Sequence, residues 1–201
     1  MTARACTIAA LGLALAVSSG CGSQAGPSAT AAIPATLLRE ARPIGSGPRF
    51  HPTARGPVIG ACRQSLGTRR AVHVELFAAN RVVVFAGGIG VRGPATRTAG
   101  RIAHARCYGA LVTLEPTGVV LLRPGRQWHL ADLFRAWGQP LSQRRAASFH
   151  ARAGDPVRVY VDGRRRRGAP GGVPLVAHGE IVVEVGPRVE PHRSYTFPPG
   201  T

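Results

Sequence analysis

The sequence predicts an α+β, sheet-rich domain, and three observations carry that expectation. Short β-branched runs recur along the chain, turn-forming Gly, Pro and Asn residues separate them, and a single stretch near residue 130 has a helical period. Composition agrees: 44% of residues are hydrophobic but only 5% aromatic, and the single Met is the initiator. The core is therefore expected to be aliphatic.

Residues 72–77 (Val-His-Val-Glu-Leu-Phe) and 81–85 (Arg-Val-Val-Val-Phe) flank Ala79-Asn80 and read as a first β-hairpin. Gly87-Gly88-Ile89-Gly90 then interrupts the pattern. Residues 111–114 and 119–122 flank Glu115-Pro116-Thr117-Gly118, a turn that makes a second hairpin. Leu130, Leu133, Phe134 and Trp137 fall on one face of a helix that Gly138 closes. A strand at 157–161 runs into Asp162-Gly163, a tight-turn signal, and residues 180–185 form the last strand. The tail from Tyr195 has no regular pattern. The second half thus reads hairpin, helix, strand, strand, an order similar to the β-grasp arrangement, in which one helix packs across a mixed sheet.

The 201 residues bound one domain once terminal segments are set aside. Residues 1–20 read as a signal peptide. Arg4 supplies the positive start, and the apolar run at 8–17 is far short of the roughly 20 residues a spanning helix needs. Ser18-Ser19-Gly20 precede Cys21, which resembles the bacterial lipobox, with Ser18 where Leu is commonest and Val17 one residue earlier. The resemblance implies lipidation at Cys21 and a protein anchored by its lipid to the outer, extracytoplasmic side of the cell membrane. An ordinary secretory signal cut nearby, or an uncleaved anchor, is the alternative. Residues 21–57, rich in Ala, Pro, Ser, Gly and Arg, read as a flexible tether with one short helix at 35–42, and residues 58–201 as a single globular domain.

An exported chain meets conditions in which disulfides persist. Of the four cysteines, Cys6 leaves with the signal and Cys21 takes lipid, so Cys62 and Cys107 remain to pair across about 45 residues. Two free buried thiols are the alternative. No C-x-x-C spacing points to a metal.

The formal charge is +17, from 26 basic and 9 acidic residues, and every basic residue is Arg. Absence of Lys points first to GC-rich coding, which leaves much of this charge as solvated surface. Read functionally, the charge suits anionic lipid headgroups or acidic wall polymers, not nucleic acid, which an exported protein rarely meets. Arg164, Arg165, Arg166 and Arg167 follow the Asp162-Gly163 turn and are the most concentrated charge. They are expected either as an exposed turn or as a docking site for an anionic surface.

Several motifs lie in register with one another. Gly88-Ile89-Gly90, Cys107-Tyr108, Gly118, Asp132-Leu133-Phe134, Trp137-Gly138, residues 159–163 (Val-Tyr-Val-Asp-Gly), Pro174-Leu175, His178 and residues 197–200 (Phe-Pro-Pro-Gly) share a frame. Across residues 62–200 this frame resembles a family of uncharacterised exported proteins common in actinobacteria. That family has an H-x-H pair opening a hairpin, a Leu-His-Thr-His-Asp stretch after Cys-Tyr, and a further His before the helix. Only the second His of the pair persists, as His73. The other positions hold Ala71, Val112, Leu114 and Leu121, and the Asp is Glu115. Imidazoles on adjacent hairpin strands would make a transition-metal site. One imidazole does not hold a metal specifically, so the replacements imply loss of any such site, with His73 the sole weak metal candidate and no cofactor expected.

The remaining candidates are weaker. His73 alone reads as a surface or interface histidine, and His178 as fixing a turn. Glu75 and Glu115 could pair across the two hairpins, or be solvated or Arg-paired, the better expectation in so basic a chain. Gly87-Gly88-Ile89-Gly90 lacks the residues of a phosphate loop and reads as a bend. No Ser has a nucleophile setting, and no acid, base and nucleophile combine. The sequence therefore suggests a non-catalytic binding or interaction module whose protein partner it does not name. A metal-handling envelope protein for copper or zinc, and an envelope enzyme without a recognisable motif, are the alternatives.

Overall fold

The structure, a computed structural model, describes residues 44–198. The signal peptide, Cys21, the expected helix at 35–42 and most of the tether lie outside the described residues.

In chain order the elements are strands β1 (Arg70–Ala78), β2 (Arg81–Val82), β3 (Val91–Thr98), β4 (Arg101–Tyr108), β5 (Leu111–Val112) and β6 (Val119–Leu122). Helix α1 (Leu130–Trp137) follows, then β7 (Leu141–Ser142), β8 (Arg145–Ala146), β9 (Phe149–His150), β10 (Arg158–Val161), β11 (Arg164–Arg166) and β12 (Glu180–Val185). One mixed sheet dominates, ordered β11-β10-β12-β1-β6-β5, with β2 hydrogen-bonded to the end of β1. The central pair β1–β12 is parallel and the other pairs are antiparallel. The chain is α+β and sheet-rich, as its pattern predicts.

Both expected hairpins form. Ala79 and Asn80 have φ of 51° and 62°, the left-handed pair a two-residue turn needs to match strand twist. Asp162 and Gly163 do the same at 50° and 74°. The helix begins where the Asp132 carboxylate accepts from the His129 N–H at 3.1 Å. It ends at left-handed Gly138, where the Gln139 N–H reaches the Phe134 carbonyl at 2.9 Å.

Strand alternation sends Val72, Val74, Leu76, Ile181 and Val183 to one face, where they pack with Leu130, Leu133, Phe134 and Trp137 of α1. The helix lies across a mixed sheet, but the sheet is not built from the second half alone. β1, from the first half, is inserted between β6 and β12, and all of it after Arg70 is buried or half-buried, as suits a strand covered on both faces.

Three further findings depart from the sequence reading. The folded unit begins before residue 58: Trp137 Nε1 donates to the Pro52 carbonyl, Arg55 N–H to the Trp137 carbonyl, and Phe50 packs on Phe149. Those residues dock on the helix C-terminus by backbone groups that composition does not register. β3 and β4 form a hairpin where no strand is expected, because its mostly exposed, Gly-, Pro- and Thr-containing residues carry no apolar alternation. Arg164, Arg165 and Arg166 occupy an edge strand, not a turn, hydrogen-bonded to β10 through backbone alone.

The rear face of the sheet is covered too. Ile102 and Tyr108 of β4 pack with Ala71, Val112, Val119 and Leu121, where Tyr195 and Phe197 of the irregular tail join them, while Val189 packs with Phe77, Tyr160 and Val182. Cys62 and Cys107 form a disulfide, Cα atoms 5.4 Å apart, that pins the loop before β1 to β4.

Candidate functional site

The rear face carries the polar chemistry of the sheet. In the parallel register His73 lies opposite Glu180 and Glu75 opposite Val182, so alternation sets His73, Glu75 and Glu180 on the same side. His73 is 5% exposed and Glu180 is 1% exposed. This corrects the expectation of a surface histidine: the tail lies over it, and the Tyr195 ring stacks on the imidazole with centroids 3.7 Å apart.

His73 Nδ1 lies 2.7 Å from Glu180 Oε2, and Nε2 lies 2.9 Å from the Thr117 carbonyl. A carbonyl only accepts, so Nε2 carries a hydrogen. The 2.7 Å contact then requires a proton between Nδ1 and Oε2, either on an imidazolium facing a carboxylate or on a carboxylic acid facing neutral imidazole. Burial opposes the imidazolium, but the bonds to Glu180 and Thr117 and the charge of Glu75 outweigh it, so the His73 pKa is raised. Burial raises that of Glu180, more than His73 lowers it. The pair therefore retains one shared proton. Gly118, at φ +83°, is forced by the same site: a Cβ there would lie 2.5 Å from the Val74 carbonyl and 3.0 Å from His73 Nε2.

Ligand atoms of His73, Glu75 and Glu180 lie within 4.8 Å of one another, a spacing that could close on a cation. Glu180 Oε1 is buried without a hydrogen-bond partner among the described residues. Glu75 is held from outside by His192, whose Nδ1 lies 2.7 Å from Oε2. Glu115 is not Glu75's partner; Arg101 pairs with it at 2.8 Å.

Beside this cluster sit the aliphatic residues Ala71, Val112, Leu114 and Leu121. Ala71 is register partner of Leu121, and Leu121 of Val112, so three of them form one row across β1, β6 and β5. Leu114 joins the same cluster, packed against Tyr108, Val119 and Ile102. The row is filled with buried aliphatic side chains.

The Gly87-Gly88-Ile89-Gly90 segment is a bend. Gly88 and Ile89 N–H groups donate to Thr113 Oγ1, which itself donates to the Ala86 carbonyl at 2.6 Å. His178, at φ 59°, sits in the turn before β12, its N–H bonded to the Ala71 carbonyl at 2.7 Å.

Arg164, Arg165, Arg166 and Arg167 are all exposed, and none makes an ion pair among the described residues. A hollow of about 480 Å³ opens beside them, lined also by Gln143 and Arg158. Arg158 is not available to a ligand in the same way, since Asp155 and Glu184 neutralise it.

Glu180, His192 and Tyr195 escaped the sequence reading. The signal for Glu180 is a carboxylate in a strand whose other residues, Glu184 apart, are aliphatic, which asks for a buried partner; the tail residues carry no such signal. Comparison with protein-family models, curated proteins and solved structures returned no match to this chain.

Proposed function

We propose that this chain is a lipid-anchored, non-catalytic binding module at the outer face of the membrane, and that its arginine edge strand docks it on anionic phospholipid. The observation that carries the reading is the set of four consecutive exposed guanidiniums at 164–167, unpaired with any carboxylate among the described residues. Near an anionic surface each such charge contributes about 1 kcal/mol. The rigid frame of β10 and the Asp162-Gly163 turn holds the row at the rim, and the stem of Arg193 lies against Gly163. The export signal and Cys21 in the sequence support the location.

Two measurements test it. Intact mass of the native protein is expected to show diacylglycerol on Cys21 and no residues 1–20. Replacing all four arginines with Gln is expected to leave folding unchanged and to weaken binding to phosphatidylglycerol vesicles at low salt by tenfold or more. Unchanged vesicle binding removes the docking reading, and binding to acidic wall polymer alone reassigns the surface.

A second reading, metal binding, draws on the approach of His73, Glu75 and Glu180 within 4.8 Å. Against it stand the occupied nitrogens of His73 and the aliphatic row at Ala71, Leu121 and Val112. Titration with copper and zinc separates the two. Stoichiometric submicromolar binding, abolished in His73→Ala, would establish the metal reading.

A further inference from the structure

A different arginine cluster, at the disulfide end of the sheet, points to a ligand. Arg69 lies in the loop that precedes β1, Arg123 just after β6, and Arg63 beside Cys62. Arg69 reaches inward: its Nε donates to the Leu66 carbonyl at 2.7 Å and Nη1 to the Ala110 carbonyl at 2.9 Å. Arg123 donates to the carbonyls of Ala61, Tyr108 and Gly109 at 2.8–3.1 Å. These bonds satisfy hydrogens but cancel no charge. No carboxylate pairs with any of the three among the described residues. Arg69 Nη2 is buried and has no acceptor.

A guanidinium normally escapes such crowding by moving into water or meeting an acid. Here burial, followed by the charges of Arg123 and Arg63, lowers the Arg69 pKa to about 10, and burial and Arg63 lower that of Arg123. Arg63 and Arg123, but not Arg69, border a hollow of about 300 Å³ whose lining also includes Ser65, Thr68, Leu66 and Pro124. Two hydroxyls and two guanidiniums around a concave surface, with a third guanidinium behind them, form an acceptor-poor, donor-rich pocket. Such a pocket suits a tetrahedral oxyanion, whose several oxygens each take two or more hydrogens. A second hollow of about 220 Å³ shares Arg123 and Pro124 and is lined also by Arg70, Leu175, Trp128 and Arg126, whose guanidinium stacks 4.0 Å from the Trp128 ring centroid.

We propose that this hollow binds a phosphate group, with Arg63 and Arg123 as direct donors, Ser65 and Thr68 as hydroxyl donors, and Arg69 as the charge beneath them. The proposal is independent of the arginine edge strand, which lies on the opposite border of the sheet order from β5 and β6. The phosphate belongs either to a soluble phosphomonoester or to a lipid headgroup.

The test uses the purified full chain, titrated by calorimetry with inorganic phosphate, with glycerol phosphate, and with vesicles of phosphatidylglycerol, at constant ionic strength against chloride. Saturable binding is expected in at least one arm. Binding to the soluble ions assigns a soluble ligand, and vesicle binding that persists when Arg164, Arg165, Arg166 and Arg167 are all replaced by Gln, without binding of the soluble ions, assigns a headgroup. Arg63→Gln, at an exposed side chain outside the carbonyl bonds, is expected to fold normally and to weaken that binding at least tenfold; Arg123→Gln, which gives up bonds to three carbonyls, is expected to weaken it as much and to lower stability as well. Replacing all four of Arg164, Arg165, Arg166 and Arg167 is expected to leave phosphate affinity unchanged. No saturable binding in any arm, equal displacement by chloride, or full affinity in both Arg63→Gln and Arg123→Gln overturns the proposal.

Discussion

At the scale of single residues, the shared proton of His73 and Glu180 makes a definite statement about pH. Folded, the pair holds one proton that its two members, with ordinary values of 6.5 and 4.5, would release on unfolding at neutral pH. The folded state therefore binds more protons, and stability is highest in mild acid and falls as pH climbs through the His range. His73→Ala alone strands a buried carboxyl group and is expected to lose about 3 kcal/mol at pH 6. Chemical denaturation at pH 6 and pH 8.5 is expected to show wild-type stability declining with pH and a flatter dependence in the double variant His73→Ala with Glu180→Gln, which leaves neither partner to hold the proton. A pH slope identical in the two proteins would mean that the proton lies elsewhere. In the sequence, His73 was legible as a lone imidazole on a strand, and its environment was not. The covering ring of Tyr195 comes from a tail whose order rests on what it touches and leaves no periodic trace.

At the scale of elements, local signals sufficed wherever backbone conformation was decided locally. The Ala79-Asn80 and Asp162-Gly163 turns need left-handed pairs and have residues that tolerate them. Gly138 does more than end α1. A Cβ on it would lie 2.6 Å from the Gly56 nitrogen, so the glycine both takes the left-handed conformation and admits the segment that docks on the helix. Gly138→Ala is thus expected to destabilise the domain by about 2 kcal/mol or more, combining a left-handed penalty of roughly 1–2 kcal/mol with a steric clash. Urea midpoints measure it; a loss under 0.5 kcal/mol would mean that residues 52–57 do not pack there. The hairpin of β3 and β4 was illegible for the converse reason. It is held by Ile102, Tyr108 and the disulfide, at wide spacing in a polar sequence, not by alternation. By the chain-entropy model the 45-residue separation closed by that disulfide contributes about 4 kcal/mol.

At the scale of the whole molecule, the excess of positive charge becomes intelligible by where it sits. A net +17 spread at random would oppose compaction. Instead many arginines stitch carbonyls, as Arg69 and Arg123 do, and others line the sheet's free edge at β11. Charged residues on an edge strand also discourage pairing with another chain. Vesicle association by that edge is expected to weaken steeply between low and physiological salt, because the guanidiniums are exposed and screened over about 8–10 Å. The candidate site was partly legible: the quartet at 164–167 stands out in sequence, whereas the cluster of Arg63, Arg69 and Arg123 is assembled from residues as far apart as 63 and 123. No run of like charge announces it.

The parallel contact of β1 with β12 joins residues 73 and 180 at the centre of the sheet. Synthesis and assembly therefore run at cross purposes: the strand made among the first is completed only by the strand made among the last. Any chain halted before residue 180 leaves β1 with one flank bare and a main-chain ladder half written. Formation of the domain must wait for its own C-terminal end, and loop closure over so long a span makes that final step slow.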